Sequence, residues 1–142
     1  MRVVPDTNIA VSGLLWHGAP RRILEAARDG RIELFSSPAL LDELEDVLGR
    51  PKLAARLALI GKTPCALVDE YLALPGIVNR APFETPVSAD PDDDAVLACA
   101  LAAQAAVIVS DDDDDLLALG AFQNIPILTA PDFLARLAGD SD

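Results

Sequence analysis

The chain has 142 residues, 51% of them hydrophobic, and a formal net charge of −12. The apolar content is too high for a disordered acidic tail, and the length suits one domain with a buried core. The charge excludes a uniformly basic surface for nucleic acid. Its distribution is uneven, because residues 1–80 contain ten acidic and ten basic side chains, whereas residues 81–142 contain 13 acidic ones and only Arg136.

The cysteine and histidine content and the hydropathy pattern argue against disulfide-rich, zinc-binding, secreted and membrane-spanning proteins. Cys65 and Cys99 provide neither a disulfide framework nor a zinc-ligand spacing, and His17 alone cannot complete a zinc site with them. No apolar run reaches about 18 residues, and the start of the chain does not resemble a signal peptide. We therefore expect a cytoplasmic protein without a membrane span.

Short Val- and Ile-rich runs alternate with segments of helical periodicity that carry capping signals such as Ser37-Pro38. In chain order, the pattern predicts a strand over 2–5, helices over 7–15 and 20–28, a strand over 31–35, helices over 38–48, 52–60 and 64–74, a strand over 76–78, a loop over 79–91, a helix over 92–103, a strand over 106–109, a helical turn over 116–119, a strand over 125–128 and a helix over 131–137.

This alternation of strands and helices is typical of βαβ units. It predicts the α/β class, as a three-layer α/β/α sandwich with a parallel sheet of four to five strands. Residues 1–138 are expected to form a single domain, followed by a polar tail over 139–142. Ligands of such sheets bind where the strands end. Asp6 follows the first strand, and five consecutive aspartates at 111–115 follow the fourth.

Helical phase distinguishes acidic residues on the apolar face of a helix from those on its solvent face. Asp93 lies one turn upstream of Val96 and Leu97 on the apolar stripe of its helix, where a carboxylate is costly unless it is paired or bound to a cation. Asp90 precedes Pro91 and fits an N-cap, but it can also be a ligand. On the third helix, Asp42 and Asp46 face away from the apolar stripe.

Two acidic features stay open at this level. Glu43 and Glu45 lie on opposite flanks of the third helix's stripe, and periodicity does not choose between them. The aspartates at 111–115 either form a solvated loop or require a cation, because adjacent like charges repel. The run lacks the glycine and the glutamate that a calcium-binding EF-hand loop needs.

Four motifs occur in a characteristic order: Val3-Val4-Pro5-Asp6-Thr7-Asn8, Ser37-Pro38 with Leu41-Asp42-Glu43-Leu44, Asp90-Pro91-Asp92-Asp93-Asp94, and Val107-Ile108-Val109-Ser110-Asp111-Asp112 before Leu116-Leu117. Over nearly the whole chain, this order resembles PIN-domain proteins, in particular the VapC-like toxins of toxin–antitoxin pairs. The resemblance implies the α/β/α fold and Mg²⁺- or Mn²⁺-dependent hydrolysis of RNA.

The resemblance also assigns site residues. It matches Asp6, Glu43 and Asp93 to the family's catalytic metal ligands, and so chooses Glu43 over Glu45. A fourth ligand follows Ser110, where this chain has one residue more than the family's usual spacing. Counting forward from Ser110 gives Asp112, which we expect, and counting back from Leu116 gives Asp113. Asn8 and Ser110 match small polar residues that hold the ligands in place.

The expected partners follow from the same resemblance. They are an RNA substrate and a small cognate antitoxin, and a homodimer stays open. An all-carboxylate site suits Mg²⁺ or Mn²⁺, which prefer oxygen ligands. We hypothesise that Arg21 and Arg22 contact RNA phosphates; otherwise they are solvated helix residues. Trp16 and His17 either shape the substrate groove or are simply packed.

Two alternative functions remain. One is a catalytically idle PIN-like binding module, which metal-dependent RNA cleavage would exclude. The other is a phosphoryl-transfer receiver or phosphatase-like domain on a similar fold. It fits poorly, because Lys52 and Lys62 lie in the wrong half of the chain and Asp6-Thr7-Asn8 does not match a phosphatase's Asp-x-Asp-x-Thr motif.

Overall fold

The computed structural model describes residues 2–74, 78–79, 96–97, 99–101, 103–110, 121–122 and 124–140. Their strands form one sheet with the order β3-β2-β1-β4-β6-β5. In chain order the strands are β1 (Arg2–Pro5), β2 (Glu33–Ser36), β3 (Val78–Asn79), β4 (Val107–Val109), β5 (Ala121–Phe122) and β6 (Ile125–Leu128).

The first five strands of that spatial order, from β3 to β6, pair in parallel. This confirms the predicted α/β class and its parallel sheet. The sequence did not predict β5, a two-residue strand that pairs antiparallel with β6 at the edge. The third strand is described over Val78–Asn79, so Asn79 belongs to it rather than to the predicted loop, and residues 76–77 of the predicted strand lie outside the described residues.

Most predicted helices are present with small shifts of their ends. They are α1 (Thr7–Leu15), α2 (Ala19–Arg28), α3 (Pro38–Leu48), α4 (Ala54–Ile60), α5 (Pro64–Leu72), α6 (helical at 96, 97, 99–101 and 103) and α7 (Ala130–Asp140). The predicted helix over 52–60 is wrong at its start, because Pro51–Leu53 form a separate 3₁₀ turn. α7 extends to Asp140 and so includes the beginning of the predicted polar tail.

Successive strand residues alternate between two hydrophobic cores, as the pleat of a strand requires. Val3, Leu34 and Val107 face the core that contains α1, α2, α3, α5 and α7. Val4, Phe35 and Ile108 face the second core, against α6. The sheet is therefore covered on both faces, and its carboxyl ends are the edge at which α1 and α3 begin.

Candidate metal-binding active site

Asp6 is a buried carboxylate at the carboxyl end of β1, only 6% exposed. Pro5 ends the strand, and Asp6 has the extended backbone of a helix N-cap (φ −75°, ψ 172°). The Ile9 N–H donates to Asp6 Oδ1 at 2.9 Å. The strand-to-helix junction therefore fixes the carboxylate and points it into the edge of the sheet.

Ser110 holds the other oxygen of the same carboxylate. β1 and β4 are parallel neighbours, and Pro5 pairs with Val109, so Asp6 and Ser110 are the next residues on adjacent strands. The fully buried Ser110 Oγ donates to Asp6 Oδ2 at 2.5 Å. These two bonds fix both carboxylate oxygens at the carboxyl edge of the sheet.

A small cavity of about 10 Å³ adjoins Asp6, with room for about one water molecule. Three of the residues that line it carry a hydroxyl group: Thr7, Ser36 and Tyr71. Thr7 Oγ1 is buried and has no hydrogen-bond partner among the described residues. Burial, with smaller contributions from Cys99 and Asp6, raises the pKa of the Tyr71 phenol well above its usual range. Tyr71 is therefore a neutral hydrogen-bond donor throughout the physiological pH range.

The sequence interpretation missed these hydroxyl groups, although signals for two of them were present. Ser36 ends β2, next to β1, so it reaches the same edge of the sheet as Asp6. Tyr71 continues the apolar spacing of Leu67 and Val68 on α5, and all three are buried. A polar group on a buried helical stripe is the signal that also singled out Asp93.

α3, which begins at the same edge of the sheet, carries the predicted ligand Glu43. Ser37 is its N-cap and accepts the Leu40 N–H at 3.3 Å. Leu40 and Leu44 line the cavity beside Asp6, whereas Glu43, between them in sequence, is not one of its lining residues. Glu43 is half-buried, whereas Glu45 is exposed. Helical phase alone could not make this distinction.

The remaining predicted site residues lie in different places. Asn8 is exposed on the first turn of α1. Arg21 and Arg22 are neighbours on α2 but line different cavities, so the structure does not bring them together on one surface. Four predicted or alternative metal ligands lie outside the described residues: Asp90, Asp93, Asp112 and Asp113.

The donors around Asp6 fit a hard divalent cation. The Asp6 carboxylate and the hydroxyl-bearing residues around it offer only oxygen ligands, which Mg²⁺ and Mn²⁺ prefer. Within the described residues, no group of three or more His, Cys, Asp or Glu side chains could hold a metal. A complete set of carboxylate ligands would therefore need acidic residues from 90–94 and 111–115, which lie outside the described residues.

Comparison with known proteins identifies the family. A family model described as the PIN domain matches residues 2–114, well over half of the chain. Among solved structures, a chain of VapBC2 from Rickettsia felis, bound to a DNA fragment from their promoter, matches with a TM-score of 0.60 and 16% identity, covering 89% of this chain and 97% of that one. No curated protein matches the chain. PIN domains are generally nucleases, and this chain belongs to the PIN-domain family.

Proposed function

We propose that this PIN domain is a Mg²⁺- or Mn²⁺-dependent endoribonuclease and the toxin of a toxin–antitoxin pair. The observation that carries the proposal is the buried Asp6 carboxylate, which Ile9 and Ser110 hold at the carboxyl edge of the sheet. Burying a carboxylate is costly, and a bound cation would offset that cost. Asp6, Glu43, Asp93 and Asp112 are the proposed ligands, with Asp113 as the alternative to Asp112 and Asp90 as an additional acid.

Each residue has a defined task in this hydrolysis. Asp6 is oriented by two hydrogen bonds and does not need to reorganise when it binds a cation. Glu43, on α3, is proposed to orient the attacking water. When bound, a divalent ion supplies Lewis acidity, which polarises the phosphoryl group and makes water a stronger nucleophile. The neutral Tyr71 phenol can donate to a water molecule in the cavity beside Asp6.

An antitoxin partner and a cytoplasmic location belong to the same proposal. The structural neighbour from Rickettsia felis is a VapBC2 assembly, which supports a small cognate protein as the partner. Among the described residues, no helix has both the length and the apolar character needed to cross a bilayer. A gene for a small antitoxin beside this one would support the toxin role. Its absence would weaken that role and leave the nuclease proposal intact.

The direct test is cleavage of total RNA by the purified chain, in Mg²⁺, in Mn²⁺ and with EDTA. We expect fragments with either metal and none with EDTA. Cleavage that EDTA leaves unchanged would contradict the metal dependence. Specific RNA binding with no cleavage in either metal would instead favour the idle binding module.

A further inference from the structure

A second concave surface lies at the C-terminal end of α1, far from Asp6 at the N-terminal end. It is a groove of about 180 Å³, lined by Leu14, Leu15, Trp16, His17, Arg21, Arg56, Ile60 and Lys62. None of the described residues that line it is acidic, although the chain has a net charge of −12. The groove therefore combines cationic and apolar groups on a strongly acidic protein.

Trp16 and Arg56 form a fixed pair of planar groups in this groove. Trp16 is the C-cap of α1, and 43% of its surface is exposed. The Arg56 guanidinium lies 5.5 Å from the centre of the indole ring. Arg56 Nε also donates to the Leu15 carbonyl oxygen at 2.8 Å, which holds the guanidinium in place. Because the guanidinium lies over one face of the half-exposed indole, a further planar group would stack on the opposite face of the ring.

Arg21 supplies a positive charge at the same groove. One of its N–H groups donates to the Gly13 carbonyl oxygen at 3.2 Å, and its other N–H groups remain for a phosphate. Lys62 is paired with Glu70 at 2.7 Å, so Arg21 is the stronger candidate for a phosphate contact. By contrast, the neighbouring Arg22 lines a different cavity, which also contains acidic side chains.

We infer that this groove binds a single-stranded segment of RNA, with one base stacked on Trp16 and a phosphate at Arg21. The inference rests on the proposed nuclease function and extends it to a substrate-binding surface. A single strand offers both unstacked bases and regularly spaced phosphates, which an acidic peptide does not. Trp16 lies ten residues from Asp6 along α1, about 15 Å at the helical rise.

Trp16 is the only tryptophan in the chain, so its fluorescence reports on this groove alone. The experiment titrates the full chain with a 12-nucleotide oligouridine in EDTA, so that cleavage does not interfere. We expect quenching of Trp16. The Arg21→Gln variant should bind several-fold more weakly, with a salt slope reduced by about 0.7. Arg22→Gln is the matched control, with the same charge change one residue away, and should bind like the wild type.

Three results would overturn the inference. The first is RNA binding, measured by the anisotropy of labelled RNA, without a change in Trp16 fluorescence. The others are an equal loss of RNA affinity in Arg21→Gln and Arg22→Gln, or quenching of Trp16 by a polyglutamate peptide of the same charge that equals the quenching by RNA. Arg21→Lys, which keeps the charge, checks that a loss in Arg21→Gln is not misfolding, and it should retain the wild-type salt slope. RNA cleavage without Trp16 quenching would reject only the groove, whereas quenching without cleavage would reject only the nuclease proposal.

Discussion

Asp6 serves two purposes that can be separated experimentally. As the N-cap of α1 it accepts the Ile9 N–H, and as a buried anion at the sheet edge it is the proposed ligand for a metal ion. Only the second purpose requires a negative charge, because a neutral amide oxygen caps a helix about as well as a carboxylate. Asparagine and alanine at this position therefore test the two purposes independently.

Asp6→Asn should keep the fold and lose the activity. We expect its free energy of unfolding to be no lower than that of the wild type in EDTA, because the cap stays and a buried charge disappears. Asp6→Ala should lose about 1 kcal/mol, since it also removes the cap. Both variants should cleave RNA at least about 100-fold more slowly, by analogy with the loss of one electrostatic catalytic group. Urea unfolding and initial cleavage rates measure the two effects. Near wild-type cleavage by Asp6→Asn would contradict the assignment.

The sequence reached some of these residue-level features and not others. The position of Asp6 at the carboxyl edge of the sheet was predictable because it directly follows a clear strand. The start of α3 was predictable because Ser37-Pro38 is a strong helix-start signal. The choice between Glu43 and Glu45 was not predictable from periodicity, since both flank the apolar stripe. Their difference in burial depends on tertiary packing, which the period of α3 does not encode.

At the scale of elements, the close packing of α1 against α2 depends on Gly13. A Cβ atom at this position would lie 2.7 Å from Leu24 Cδ1 and 3.0 Å from the Pro20 carbonyl oxygen. The backbone oxygen cannot move as a flexible side chain would. α2 can therefore approach α1 only where the residue has no side chain, and this approach positions Arg21 beside the C-terminal end of α1.

Gly13→Ala should destabilise the protein by about 1–3 kcal/mol, the usual cost of overpacking. Gly49→Ala is the matched control. Gly49 has φ −84°, and its added Cβ would make only ordinary contacts, at 3.6 Å from the nearest backbone oxygens. We expect that variant to be neutral or slightly stabilised. Urea midpoints compare the two, and equal stability of both variants would show that the α1–α2 approach is not tight.

The errors at element scale have physical causes. Lys52 and Leu53 were assigned to a longer helix because the 3₁₀ turn over Pro51–Leu53 shares the local signals of an α-helix start. β5 was missed because two residues, Ala121 and Phe122, are too short to show strand alternation. The parallel sheet itself was predictable, since its apolar strands alternate with helices along the chain.

At the scale of the whole molecule, the charge distribution separates into two parts. The acidic excess lies in residues 81–142, and it includes Asp90, Asp93 and the run at 111–115, which contains Asp112 and Asp113. Ten of the eleven basic side chains lie in residues 1–80, where Arg21 and Arg56 line the groove beside Trp16. A net charge of −12 is therefore compatible with an RNA substrate.

Clustered carboxylates should make the stability of the protein depend on divalent cations. We expect Mn²⁺ at about 100 times its dissociation constant to raise the free energy of unfolding by about 2.7 kcal/mol, which is several degrees in the melting temperature. Asp42→Asn, which removes an exposed acid of α3, should keep this response, whereas Asp6→Asn should lose most of it. Thermal unfolding with and without Mn²⁺ measures the shift. An equal shift in all three proteins would indicate non-specific screening.

The central claim is that the carboxyl edge of the sheet, where Asp6 meets α3, is the catalytic site. The most direct test compares initial rates of RNA cleavage in Mg²⁺ for Glu43→Gln and Glu45→Gln, two identical charge changes two residues apart on one helix. We expect a rate at least about 100-fold below wild type for Glu43→Gln and a wild-type rate for Glu45→Gln. Equal rates for the two variants, whether both high or both low, would contradict the central claim.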